Sequence, residues 1–139
     1  MAHAALRPLI ATLVAAACAL SAGSALASTK KAKPAPAPLA DLTEEQLANA
    51  ERVLTGAHQC EFNQTLSVDG ATEKTGYFRL QHKGKKYLLV PEPTTTGAVR
   101  LEDKKAGVVW LQIANKSMLM NAKIGQRMVD DCVHPTQKV

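Results

Sequence analysis

Two periodicities divide the chain. Over residues 41–56 apolar side chains recur at helical spacing, with Leu47, Ala50, Val53 and Leu54 on one stripe. Thr43 and Gln46 have the spacing of a capping box, and Leu42 and Leu47 occupy hydrophobic-staple positions. Glu44 and Glu45 fall in the first turn, where the helix dipole favours negative charge. Gly56 suits the residue just beyond a helix C-terminus. The pattern predicts a short helix over 41–56 that docks its stripe on the body of the protein.

From His58 onward the period shortens to two. Strand-like runs cover 61–68, 76–81, 85–90, 98–102, 108–113, 117–121 and 126–132. Turn-forming residues separate them, among them Lys83-Gly84, which suits a tight hairpin. Phe62, Leu66 and Val68 alternate as a core face would, as do Phe78 and Leu80. Leu88 and Val90 are expected to continue that face, and Met118 and Met120 are read as flexible core filler. Seven short strands joined by tight turns predict an all-β domain over 57–139, an antiparallel barrel or sandwich.

The first residues do not belong to this fold. Arg7 precedes an uncharged apolar run, and Ala25-Leu26-Ala27 offers a small-x-small cleavage site, so residues 1–27 read as a secretory signal peptide. The run is too short for a stable membrane span. Cys18 lacks the bulky aliphatic residue that lipoprotein processing needs three positions upstream, so a cleaved, periplasmic product is expected rather than a Cys18-anchored one. Residues 28–40 carry Lys30, Lys31 and Lys33 and then alternating Pro-Ala, an extended linker that cannot form a core.

Export changes the reading of the cysteines. Without Cys18 an even pair remains, and Cys60 and Cys132 in an oxidising compartment predict a disulfide joining the start of the body to its end. His58 beside Cys60, and His134 beside Cys132, would suit copper if the thiols were free, but the disulfide consumes them. No metal or cofactor is expected.

Composition narrows the function. The net charge of +5 is mild, and aromatics are only 4% of the residues, too few for a single-strand nucleic-acid platform. There is no nucleophile elbow, phosphate loop or dinucleotide fingerprint. Glu102-Asp103 and Asp130-Asp131 are adjacent pairs whose members point to opposite faces of a strand, a poor start for acid-base chemistry. The expectation is a non-enzymatic protein. The run Pro91-Glu92-Pro93-Thr94-Thr95-Thr96-Gly97 is the most unusual segment, a proline-stiffened, hydroxyl-rich loop suited to presenting a binding surface.

In order along the chain, Cys60, Gly84-Lys85-Lys86-Tyr87-Leu88, Pro93-Thr94-Thr95-Thr96-Gly97, Trp110 and Cys132 resemble the membrane-bound or periplasmic inhibitors of C-type lysozyme of Gram-negative bacteria. The resemblance implies an eight-stranded antiparallel barrel closed by that disulfide. It also implies a loop hydroxyl and a following lysine that engage the catalytic carboxylates of lysozyme. Carried over, the binding residues are Thr95, Thr96, Gly97, Arg100, Trp110 and Gln112. Three depart from the family: Thr96 stands where a serine is expected, Arg100 where a tyrosine is usual, and Gln112 where the lysine is expected. Two functions therefore remain open, inhibition of a C-type lysozyme and a periplasmic binding or structural module for another cell-wall or protein ligand.

Overall fold

The computed structural model describes residues 35–137. The segment read as a signal peptide, Cys18 and the first part of the expected linker lie outside the described residues. Residues 35–43 have no regular secondary structure. Helix α1 is Glu44–Ala50, and eight strands follow: β1 Gly56–Gln59, β2 Thr65–Gly70, β3 Phe78–His82, β4 Lys85–Glu92, β5 Val99–Asp103, β6 Val108–Gln112, β7 Ser117–Asn121 and β8 Gln126–Cys132. Each strand pairs antiparallel with the next, in the order β1 to β8. Val133, just past β8, then exchanges two backbone hydrogen bonds with Gln59 of β1, at 3.0 and 2.8 Å. That bridge closes the sheet into a nearly complete barrel and covers the edges that an open sheet would expose.

The barrel interior follows from the alternation. Leu66 and Val68, Phe78 and Leu80, Tyr87 and Leu89, Val99 and Leu101, Val108 and Trp110, and Leu119 and Val129 all turn inward and are buried. Cys60 and Cys132 form the expected disulfide, across a sequence separation of 72 residues. It lies next to the Gln59–Val133 bridge, where the first strand meets the last. A loop of that length contributes about 4 kcal/mol in the chain-entropy view.

Several local expectations need correction. The helix stops at Ala50 rather than continuing to residue 56, because the amides of Arg52 and Val53 fold back onto the carbonyls of Asn49 and Ala50. Gly56 does not end a helix; it opens β1, which the sequence pattern missed. Phe62 is not core. It sits in a 3-10 turn at Glu61–Asn63 with φ 54° and is 85% exposed, so the count of two from Leu66 fails at the turn. In β4 the inward residues are Tyr87 and Leu89, so Leu88 and Val90 face outward. The strand also runs through Pro91 to Glu92, residues read as a turn. In β7, Ser117 and Leu119 take the inner positions, leaving Met118 and Met120 half-buried on the outside.

Two tight connections show the expected chemistry. His82 and Lys85 pair across the β3–β4 hairpin, and Lys83 and Gly84 between them both have positive φ, 48° and 75°. That is the primed turn a two-residue hairpin requires. At the other junction, both members of the Thr43–Gln46 capping box form. The staple partners Leu42 and Leu47 close over Gly76, where an added Cβ would come within 2.5 Å of Leu42 Cδ1 and 3.2 Å of Leu47 Cδ2. Tyr77 donates its hydroxyl hydrogen to the Ala40 carbonyl at 2.9 Å, so the segment before α1 is strapped to the β2–β3 connection.

Candidate functional site

Alternate connections of a closed antiparallel barrel lie at the same end. The β2–β3, β4–β5 and β6–β7 connections therefore share an end with α1 and the segment leading into β1. This end is capped by Val53, which is buried against the core. Gln112, the last residue of β6, holds the cap in place. Its side-chain oxygen accepts from the Leu54 amide at 2.8 Å, and its Nε2 donates to the Arg52 carbonyl at 2.9 Å.

The β4–β5 connection, residues 93–98, stands beside this cap. Thr94 closes it internally by donating from Oγ1 to the Ala98 carbonyl at 2.6 Å. Gly97 provides the positive φ of 78° that the bend demands. Two outside contacts then fix the loop. Arg52 donates from Nη2 to the Gly97 carbonyl, and Asn49 of α1 donates to the Glu92 carbonyl at 3.2 Å. Thr95, Thr96 and Gly97 are exposed at its tip. A recess of about 390 Å³ flanks the tip on the helix side, against Glu45, Ala48 and Asn49. A second, of about 320 Å³, flanks it on the side of the cap, against Arg52, Gln112, Ile113 and Gln137.

The structure brings together only part of the residue set implied by the resemblance. Thr95, Thr96 and Gly97 form one exposed element. Arg100 lies on the outer wall of β5 and pairs with Glu102, away from the loop tip. Trp110 is fully buried, paired across the sheet with Leu101 and Leu119, so it packs the core and cannot touch a partner. Gln112 is only 8% exposed, with both ends of its amide engaged by the backbone. It is a clamp, and its side chain is not available to a ligand. Lys116, a cation near this end, is held by Asp130 and Asp131.

Arg52 is the residue that sequence reasoning missed. It is exposed, and its guanidinium reaches Asn49 Oδ1 at 3.4 Å as well as Gly97. Among the described residues it forms no ion pair. Its contact with Gly97 spans 45 residues, and no local motif marks it. The side chain thus sets a positive charge against Gly97 of the loop.

Below the cap lies a histidine in an apolar setting. His58 is fully buried and meets Trp110 edge-on, with ring centroids 5.1 Å apart. Its Nδ1 faces the Gly56 carbonyl at 3.2 Å, and neither its Nε2 nor Trp110 Nε1 has a hydrogen-bond partner. Burial pushes the His58 pKa down, and the neighbouring His134 adds to that, against the Gly56 carbonyl, which favours the proton. His134 lies 5.1 Å from His58 between ring centroids, but the cysteine sulfurs beside them are bonded to each other. Among the described residues no three His, Cys, Asp or Glu side chains gather as metal ligands would.

Compared with known protein families, curated proteins and solved structures, the chain matches none.

Proposed function

We propose that this is an exported, non-enzymatic binding protein whose 93–98 loop enters the active-site cleft of a C-type lysozyme. The resemblance of the sequence to the inhibitors of that enzyme supplies the target class. The observation that carries the reading is the contact of Arg52 with Gly97. It puts a guanidinium against the same braced loop that exposes two threonine hydroxyls, and both kinds of group are donors that cleft carboxylates accept. In this arrangement Thr96 and Thr95 supply hydroxyl donors, and Arg52 supplies the charge that Gln112 lacks. Hydrogen bonds to a charged acceptor contribute about 1.5–3 kcal/mol each. Bracing the loop before binding lowers the ordering cost of association.

The Cys60–Cys132 disulfide agrees with a life in an oxidising compartment. In this reading the chain reaches the periplasm through its cleavable leader, and the Pro-Ala linker spaces the barrel from whatever it meets there.

The test is a cell-wall lysis assay with a C-type lysozyme and the purified protein. Inhibition by the wild type, weakened roughly tenfold by Thr96→Ala and again by Arg52→Gln, is the expected result, since about 1.4 kcal/mol is one decade. A wild type that neither binds nor inhibits any C-type lysozyme removes this reading. The same loop would then serve a module for a different ligand.

A further inference from the structure

The opposite end of the barrel carries a different surface. Four connections meet there: β1–β2, β3–β4, β5–β6 and β7–β8. Cross-links confirm the grouping, because His82 Nε2 lies 3.1 Å from Gln64 Oε1, and the Ala122 amide donates to the Gly107 carbonyl at 2.8 Å.

This end is cationic. Lys83, Lys85 and Lys86 crowd the β3–β4 hairpin, and Lys104, Lys105 and Lys123 occupy the β5–β6 and β7–β8 turns, all of them exposed. Lys104 pairs with Glu92, and Lys123 reaches the Lys105 carbonyl. Among the described residues the remaining four form no ion pair. Two carboxylates at this end, Glu61 and Asp103, are turned into the backbone, while Glu92 and Glu102 lie beside Lys104 and Asp130 lies beside Glu61. Glu61 accepts from the Asp130 amide at 2.8 Å, and Asp103 accepts from the Ala106 and Leu88 amides at 2.8 and 3.2 Å. The far end carries both signs, with Glu44, Glu45, Glu51 and Glu73 among its acids and Arg52, Lys74 and Lys116 among its bases.

Among the described residues, the two most exposed large hydrophobic side chains stand on the same cationic end, Phe62 at 85% and Ile124 at 62%. Phe62 is held there by a left-handed backbone, with φ 54° followed by 56° at Asn63. That conformation is unfavourable for an aromatic residue, and such strain tends to mark functional positions. The hydrophobic effect would favour burying both side chains, yet the fold leaves them exposed.

We propose that this end of the barrel docks on an anionic lipid bilayer. Lysines draw a protein to acidic headgroups, and exposed apolar side chains insert at the acyl boundary. With Phe62 and Ile124 inserted, the barrel would stand end-on with the 93–98 loop facing away from the membrane. This inference is independent of the lysozyme reading, since it uses other residues at the other end.

Vesicle co-sedimentation tests it, using the purified protein and variants made in the same background. The probes are phosphatidylcholine vesicles with and without phosphatidylglycerol. The expected result is at least tenfold tighter partitioning onto the phosphatidylglycerol vesicles, reversed in part by salt. Lys83→Glu with Lys86→Glu should lower it tenfold or more. Phe62→Ser with Ile124→Ser should remove the part that survives high salt. All four side chains are exposed, so melting midpoints close to the wild type confirm that the variants fold. Equal partitioning onto both vesicle types overturns the proposal, as does wild-type binding by the lysine variant. Wild-type binding by the Phe62, Ile124 variant also overturns it, and points to a soluble acidic polymer instead.

Discussion

Gln112 and Leu54 are joined at the mouth of the barrel, the amide of Leu54 donating to the Gln112 side chain at 2.8 Å. With the second bond, from Gln112 to the Arg52 carbonyl at 2.9 Å, one side chain fixes the path of the chain from α1 into β1. Arg52 owes its place beside Gly97 to that clamp. A neutral amide does this better than a lysine would, because the clamp needs a donor and an acceptor and an ammonium only donates.

Gln112→Ala should therefore destabilise the fold by about 2 kcal/mol, since it removes two part-buried hydrogen bonds that contribute about 1 kcal/mol each. Gln112→Lys should also destabilise rather than improve binding, although the resemblance alone suggests the reverse. Urea unfolding midpoints of the two variants check this. A wild-type midpoint for either would contradict the clamp.

Removal of the disulfide should have a larger effect. A Cys60→Ala, Cys132→Ala protein should lose about 4 kcal/mol, the loop-closure contribution expected for 72 residues. Among the described residues the Gln59–Val133 bridge would then be the backbone link left between the first strand and the last. Chemical denaturation with and without reductant reads the difference, and a wild-type protein indifferent to reductant would refute it.

Stability should also depend on mildly acidic pH. Burial lowers the pKa of His58 and of His82, with Lys83 adding to the effect on His82. In the unfolded chain both titrate near their ordinary value, about 6.5. Below that pH the unfolded state takes up protons that the folded state refuses, so stability falls as pH drops through about 6.5 and levels off below the folded values. Above it both states are neutral and the term vanishes. Unfolding midpoints between neutral pH and pH 5 should fall for the wild type and fall less for His82→Gln. An equal fall in the variant would remove His82 from the account.

Gly76 gives a sharper test of how the N-terminal segment docks. Its φ of 87° is unfavourable for any side chain, and a Cβ there would meet Leu42 at 2.5 Å. Gly76→Ala should cost about 1–2 kcal/mol for the backbone alone. It should also lift Leu42 and Leu47 off the barrel and expose residues 37–43 to limited proteolysis. Unchanged cleavage would show that the staple does not hold the segment.

The legible and illegible parts of this protein differ in how local their causes are. The capping box, the Lys83-Gly84 hairpin and the alternation of β2 and β3 depend on neighbours within a few residues, and the sequence carried them. The disulfide was legible because parity and compartment leave one pairing. Phe62 was misread because a left-handed turn broke the register between it and Leu66. The faces of β4 and β7 were misread because both of their alternating sets are apolar, Leu88 and Val90 against Tyr87 and Leu89, and Met118 and Met120 against Leu119. At the candidate site, the exposed loop 93–98 was visible as a run of prolines and threonines. The packing of Trp110 on His58, the clamp by Gln112 and the position of Arg52 all depend on residues about 45 to 60 positions away.

The central claim is that the 93–98 loop occupies a glycosidase cleft, and competition measures that most directly. The dissociation constant for a C-type lysozyme would be determined by calorimetry, alone and with a saturating N-acetylglucosamine oligosaccharide in the enzyme's cleft. The account predicts binding that the oligosaccharide weakens tenfold or more, with Thr96→Ala weakening it in the absence of sugar. Binding of equal strength with the cleft filled would contradict it.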